Sequence, residues 1–135
     1  MLFCTSLKFT NTPMKILLLN SFKHWGGGEW WTVELGKGLQ ARGHEVTVAC
    51  PPETETARRA GESRLKVLPL HLESDVAFWR LPGLIRYLKR NEIDLLFCNQ
   101  TRDVKLGGLA GRLAGTPRIF ARLGLDVIKN KPDHR

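Results

Sequence analysis

The run Lys15-Ile16-Leu17-Leu18-Leu19-Asn20, followed shortly by Gly26-Gly27-Gly28 and then by an amphipathic segment, constrains the fold of this chain more than any other feature. A short continuous apolar run that ends in polar residues is the pattern of a strand buried on both faces of a parallel sheet. The glycines then break the chain. From Glu29, apolar side chains recur at Trp31, Leu35 and Leu39, with Arg42 in the last turn and Gly43 at the stop, which predicts an amphipathic helix. Glu45-Val46-Thr47-Val48-Ala49, closed by Pro51-Pro52, reads as the second strand.

The same alternation continues. Leu65 to Leu70 reads as a third strand, with a short helix before it around Glu53 to Ala60. Phe78 to Arg90 carries Leu81, Leu84, Ile85 and Leu88 at helical spacing, with Pro82 placing the start of its regular part. Asp94-Leu95-Leu96-Phe97-Cys98 is a fourth strand; Leu106, Leu109, Ala110, Leu113 and Ala114 mark a helix that stops at Gly115; Arg118 to Ala121 makes a fifth strand. Strands alternating with helices imply right-handed parallel crossovers. The predicted fold is therefore α/β, a Rossmann-like doubly wound parallel sheet of order 3-2-1-4-5.

At 135 residues, with 42% hydrophobic and 25% charged side chains, the composition suits one globular domain and excludes a disordered chain. Cys4, Cys50 and Cys98 form neither a disulfide framework nor a paired-thiol zinc pattern, and the four histidines show no metal-ligand spacing, so no metal is expected. No apolar run reaches the roughly 18 residues of a membrane span, nor do residues 1–13 contain the apolar stretch of a secretory signal. The chain reads as cytoplasmic, with 1–13 a loose extension, 14–128 the domain, and 129–135 a polar tail.

Ligands of open parallel sheets bind beyond the carboxyl ends of the strands where the order reverses, here between strands one and four. The crevice then comprises Asn20 to Gly28 and Asn99 to Asp103, flanked by Arg122 to Asp126. A glycine-rich turn leading into a helix presents backbone N–H groups and the positive helix end to an anion, a role open to Gly26, Gly27 and Gly28; the alternative is a tight turn alone. The dinucleotide fingerprint fails, because its third glycine falls on Trp31 and strand two ends without a ribose-binding acid; the P-loop pattern is absent as well. Asn99 and Gln100 bring further polar groups. Asp103 either accepts a hydrogen bond from an acceptor hydroxyl or serves as an N-terminal helix residue, and Arg122 either meets an anionic group or is a solvated charge. Trp25, Trp30 and Trp31 flank the turn and either pack locally or form a rim for sugar or lipid.

Met14 to Asn20, Gly26-Gly27-Gly28-Glu29, and Leu39-Gln40-Ala41-Arg42-Gly43-His44-Glu45-Val46-Thr47-Val48 together resemble the opening of family 4 glycosyltransferases. Ile93 to Cys98 and Leu109 to Arg118 are similar to the fourth strand, helix and fifth strand of the same domain. The resemblance implies one half of a GT-B architecture: a truncated acceptor-side domain whose donor-holding C-terminal partner is missing, inactive alone. It also implies a nucleotide-sugar co-substrate, a glycan, lipid or small-molecule acceptor, retention of anomeric configuration, and a place in cell-envelope glycan biosynthesis. By resemblance the approach to donor phosphates and acceptor maps onto Gly26, Gly27 and Gly28, while the crevice position alone makes Asn99, Gln100, Arg122 and Gly124 substrate-binding candidates and Asp103 the catalytic candidate. Arg122-Leu123-Gly124 stands where many relatives place a histidine before a glycine, so no histidine role transfers. The competing reading is a stand-alone Rossmann-like module for a nucleotide or other phosphorylated ligand.

The formal charge of +8 falls almost wholly after residue 77. Arg80, Arg86, Lys89 and Arg90 accompany Trp79, Leu84, Ile85, Tyr87 and Leu88, a pattern open to peripheral docking on the anionic inner face of a membrane or to a crossover helix with basic ends. Nothing in the sequence forms a nucleic-acid recognition motif, and no nucleic-acid partner is expected.

Overall fold

Side-chain alternation along β1 (Lys15–Leu19) divides the core in two. Ile16 and Leu18 pack on one face of the sheet with Val46, Val48, Ala60 and Leu65; Leu17 and Leu19 pack on the other with Leu84, Leu88, Leu96, Leu106 and Ala110. A strand buried on both sides needs a helical layer on each, and the chain supplies them. The computed structural model describes residues 13–72, 74 and 77–122. Residues 1–12, Gly124 with the rest of 123–128, and the tail 129–135 lie outside the described residues.

The elements follow as β1, α1 (Gly27–Ala41), β2 (Glu45–Cys50), α2 (Glu55–Glu62), β3 (Lys66–Pro69), a 3-10 turn (Phe78–Arg80), α3 (Leu81–Arg90), β4 (Leu95–Cys98), α4 (Thr101–Ala114) and β5 (Arg118–Ala121). The five strands are parallel and ordered β3-β2-β1-β4-β5, the order expected from the sequence. In register, Leu17 sits between Thr47 and Leu96, so β1 is central. Two backbone bonds beyond the ladder hold its ends: Asn20 N–H donates to Ala49 O at 2.9 Å, and Asn99 N–H donates to Leu19 O at 3.1 Å. At the opposite end, the Met14 amide donates to His44 Nδ1 at 3.1 Å and the Lys15 amide to Asp94 Oδ2 at 2.9 Å.

Helix boundaries follow local chemistry. Thr54 caps α2, its hydroxyl oxygen accepting from the Ala57 amide at 3.2 Å. Pro82 sits in the first turn of α3, where its missing N–H costs nothing, although the 3-10 turn carries helical winding back to Phe78. Gly115 ends α4 at φ +78, a left-handed conformation costly for any residue with a Cβ.

Close helix seating is set by small residues facing the sheet. A Cβ on Gly36 would come within 2.9 Å of Leu65 Cδ1, one on Gly107 within 2.5 Å of Leu19 Cδ2, and one on Gly111 within 2.8 Å of Ile119 Cδ1. The bulk of Trp31 does not hold α1 off the sheet, because the close contact falls at Gly36 instead, while Trp31 lies sideways on Phe97 with ring centroids 5.4 Å apart.

Candidate functional site at the strand-order reversal

Polar residues are buried in a row where β1 and β4 end. Asn20, Ser21, Glu29, Thr32, Asn99 and Asp103 are all nearly or fully inaccessible, in a chain whose other buried side chains are mostly apolar. Buried polar groups are costly unless they are paired, and these find partners within the site. Asn20 Nδ2 donates to Thr32 Oγ1 at 3.2 Å, and the Thr32 hydroxyl donates to Gly28 O at 2.9 Å. The Phe22 amide donates to Asn20 Oδ1 at 3.2 Å, turning the chain immediately after β1.

Gly28 is the point of convergence. A Cβ there would stand 3.2 Å from Asn99 Nδ2, 3.4 Å from Arg122 Nη1 and 3.8 Å from Gln100 Nε2. Thus residues from three separate loops, singled out in the sequence at Gly28, Asn99, Gln100 and Arg122, meet at one place. Arg122 Nη1 donates to Asn99 Oδ1 at 3.1 Å, and its guanidinium lies over Trp31, 5.2 Å from the ring centroid. Arg122 is thereby held against the crevice wall. Its own amide donates to Cys98 O at 2.9 Å, which carries the strand pairing just past β5.

The glycine run divides between turn and helix. Gly26 is the cap residue of α1, accepting from the Trp30 amide at 2.9 Å, while Gly27 and Gly28 form the first helical positions. The helix thus begins two residues before Glu29, and the Gly27 and Gly28 amides, having no intrahelical acceptor, point out of its positive end.

Asp103 occupies the third position of α4 and is fully buried. Its oxygens accept from the Ser21 amide at 3.2 and 3.1 Å, and Oδ2 also accepts from the Gln100 amide at 3.0 Å. One carboxylate therefore ties the loop after β1 to the start of α4. Burial pushes its pKa up to about 6, against the pull of the Ser21 and Gln100 donors and the Arg102 charge. Beside it, burial pushes the Cys98 thiol up to about 12, with the Asp103 charge adding to the shift.

Glu29 belongs to this site although its sequence signal was only its place after three glycines. Its side chain is 2% exposed, and Oε2 accepts from Gln100 Nε2 at 3.1 Å, bridging α1 and the start of α4. The three tryptophans flanking the turn separate: Trp31 packs on Phe97, Trp25 lies under the Arg59 guanidinium at 4.5 Å, and Trp30 remains 52% exposed. Among the described residues, no group of three His, Cys, Asp or Glu side chains is placed to hold a metal ion, and no helix is long and apolar enough to cross a membrane.

The family model for Glycosyltransferase Family 4 matches residues 25–126. Among solved structures, the fold is similar to a glycosyltransferase from Rickettsia africae (TM-score 0.69, 16% identity), covering 81% of this chain and 29% of that one. It is also similar to MurG of Acinetobacter baumannii (TM-score 0.66, 18% identity; 87% and 38% covered). A third is Anabaena Alr3699/HepE in complex with UDP and glucose (TM-score 0.60, 20% identity; 79% and 29% covered). At these identities the likeness is one of fold, and the chain spans roughly a third of the length of those proteins. The comparison with curated proteins gives no match.

Proposed function

The chain belongs to glycosyltransferase family 4, and from that premise we propose that it supplies the acceptor-side half of a two-domain enzyme that transfers a sugar from a nucleotide sugar to a glycan or lipid acceptor. In such a transfer the bond from the anomeric carbon to the nucleotide's terminal phosphate oxygen breaks, and a bond to the acceptor oxygen forms. The acceptor hydroxyl gives up its proton and a nucleoside diphosphate leaves. Retention of configuration, a role in cell-envelope glycans and dependence on a separate donor domain are parts of the same proposal.

The observation that supports it is the convergence of Asn99, Gln100 and Arg122 on Gly28 at the mouth of α1. Helix-end amides together with a guanidinium form a recognition set for diphosphate oxygens. The Asp103 carboxylate already engages the start of α4, so the anion's place is at Gly27 and Gly28 beside Arg122. In this reading Glu29 and Asp103 position the loops, and Asp103 reaches substrate only through them.

The test is calorimetric titration of the two-domain parent enzyme with UDP, chosen because the Anabaena structure contains it. Gly28→Val should weaken binding about tenfold or more, about 1.4 kcal/mol, with unchanged far-UV circular dichroism. Equal affinity would remove the site assignment. Turnover of a radiolabelled nucleotide sugar by the parent enzyme separates a transferase from a plain nucleotide-binding module.

A peripheral membrane location is favoured by the exposed side of the segment from Phe78 to Arg90. Phe78 and Trp79 are 54% and 64% exposed, and Arg86, Lys89 and Arg90 follow on exposed positions of α3 beside a groove of about 480 Å³. Aromatic rings next to a cationic helix face match an anionic bilayer surface. Co-sedimentation with phosphatidylglycerol vesicles should be lost when Arg86 and Lys89 are both changed to Glu; binding indifferent to that change, or equal on neutral phosphatidylcholine, refutes it.

A further inference from the structure

A small recess opens between α1 and α2, next to the glycine turn and distinct from the Gly28 crevice. Its volume is about 170 Å³, and Trp25, Trp30, Glu34, Lys37, Arg59 and Glu62 line it. Drug-sized ligands fill roughly 300–1,000 Å³, so this recess is scaled to a single ring.

Its two aromatic walls are held differently. Trp25 immediately precedes the glycine turn and lies under the Arg59 guanidinium, 4.5 Å from ring centroid to Cζ. Trp30 stands in the first turn of α1, 52% exposed, although its neighbour Trp31 has found a packed position on Phe97. An indole left open at the wall of a concave site, with its polar N–H available, is the kind of apolar exposure that marks a binding surface.

The charges around these rings identify the class of occupant. The lining carries two carboxylates and two cations, each in a surface ion pair: Lys37 Nζ lies 3.3 Å from Glu34 Oε2, Arg59 Nε lies 2.6 Å from Glu55 Oε2, and Arg58 pairs with Glu62. The balance is neutral. A phosphate would meet Glu34 and Glu62, and a cationic ligand would meet Lys37 and Arg59; neither gains from the field. Hydrogen-bond donors and acceptors of both kinds, set beside the exposed Trp30 indole, suit a neutral polyol, whose C–H face lies on an indole while its hydroxyls reach the charged rim.

We infer that the recess between α1 and α2 is a saccharide subsite that holds one neutral sugar ring of the acceptor. The inference deepens the transferase reading and rests on it for the word acceptor; it makes that acceptor a saccharide whose chain passes the glycine turn.

Saturation-transfer NMR with three neutral disaccharides as probes, N,N′-diacetylchitobiose, maltose and lactose, tests it. At least one of them should receive saturation at its pyranose C–H protons from the wild-type protein. That signal should fall about fivefold or more in Trp30→Ala, persist in Trp30→Phe, and be unchanged in Trp79→Ala, the change at the exposed tryptophan on the other face. No transfer to any of the three sugars, an undiminished signal in Trp30→Ala, or an equal loss in Trp79→Ala overturns the subsite. A UDP titration of the two-domain parent enzyme run in parallel keeps the two readings apart. Sugar binding without UDP binding sinks the nucleotide crevice and leaves the recess standing, and UDP binding without sugar binding does the reverse.

Discussion

Replacing Asp103 by Asn makes stability respond differently to pH, and the size of that change follows from the geometry. The carboxylate is fully buried beneath the loop after β1, and its pKa rises from 3.8 to about 6. A carboxyl whose folded pKa exceeds its unfolded one binds its proton more tightly in the folded chain. Its stabilising contribution is fully present below about pH 4 and is lost as pH rises through about 6. A shift of about 2 units corresponds to about 3 kcal/mol between those limits. Asparagine has the same shape but does not titrate. It also turns one acceptor into a donor against the Ser21 or Gln100 amide, a mismatch of about 1–3 kcal/mol at any pH. Asp103→Asn should therefore be the weaker protein at pH 4, and its disadvantage should shrink by about 3 kcal/mol by pH 7.5. Urea denaturation of both proteins at pH 4.0, 5.0, 6.0 and 7.5 measures that gap, with contributions from other carboxylates cancelling in the difference. A gap that stays constant, or widens as pH rises, would refute the reasoning, since it would mean that the amide donors outweigh burial.

Gly107→Ala places a Cβ 2.5 Å from Leu19 Cδ2 and 3.0 Å from Cys98 Sγ, and should cost about 1–3 kcal/mol in urea denaturation; an unchanged midpoint contradicts the close seating of α4. Leu88→Ala removes a side chain that is 2% exposed in the core between α3 and the sheet, and should cost about 2–5 kcal/mol by the same measurement. Burial pushes the Cys50 and Cys98 thiols up to about 11 and about 12, so at pH 8 neither should react with Ellman's reagent until the protein unfolds. Prompt labelling of either, located by mass spectrometry, would contradict their burial.

What the sequence makes legible here is periodicity. Ile16 to Leu19 can be read as a strand buried on both faces because all four are apolar, and the order of strands follows from the handedness of crossovers. The reversal point then places Gly28, Asn99, Gln100 and Arg122 at one end of the sheet, and those four do meet. Pairings within the site are another matter. Glu29 and Gln100 are 71 residues apart, and nothing local to either indicates that one holds the other. Asp103 shows the same limit: a helix-start acid reads identically whether it faces solvent or ties Ser21 to Gln100, and only the 82-residue contact decides. The tryptophans fail for a different reason, since Trp25, Trp30 and Trp31 share a composition signal but depart on three sides of one helix start.

The glycine seats of α4 set how closely the helix that opens at the crevice lies on the sheet. A helix is stiff along its axis, and Gly111 lies ten residues beyond Thr101, about 15 Å down that axis. Asp103 ties one end of α4 to the loop after β1, and near the other end a Cβ on Gly111 would stand 2.8 Å from Ile119 Cδ1 and 3.1 Å from Leu96 Cδ2. A methyl group added at Gly111 therefore falls first on the packing of Ile119 and Leu96, at the end of α4 remote from the polar residues of the crevice.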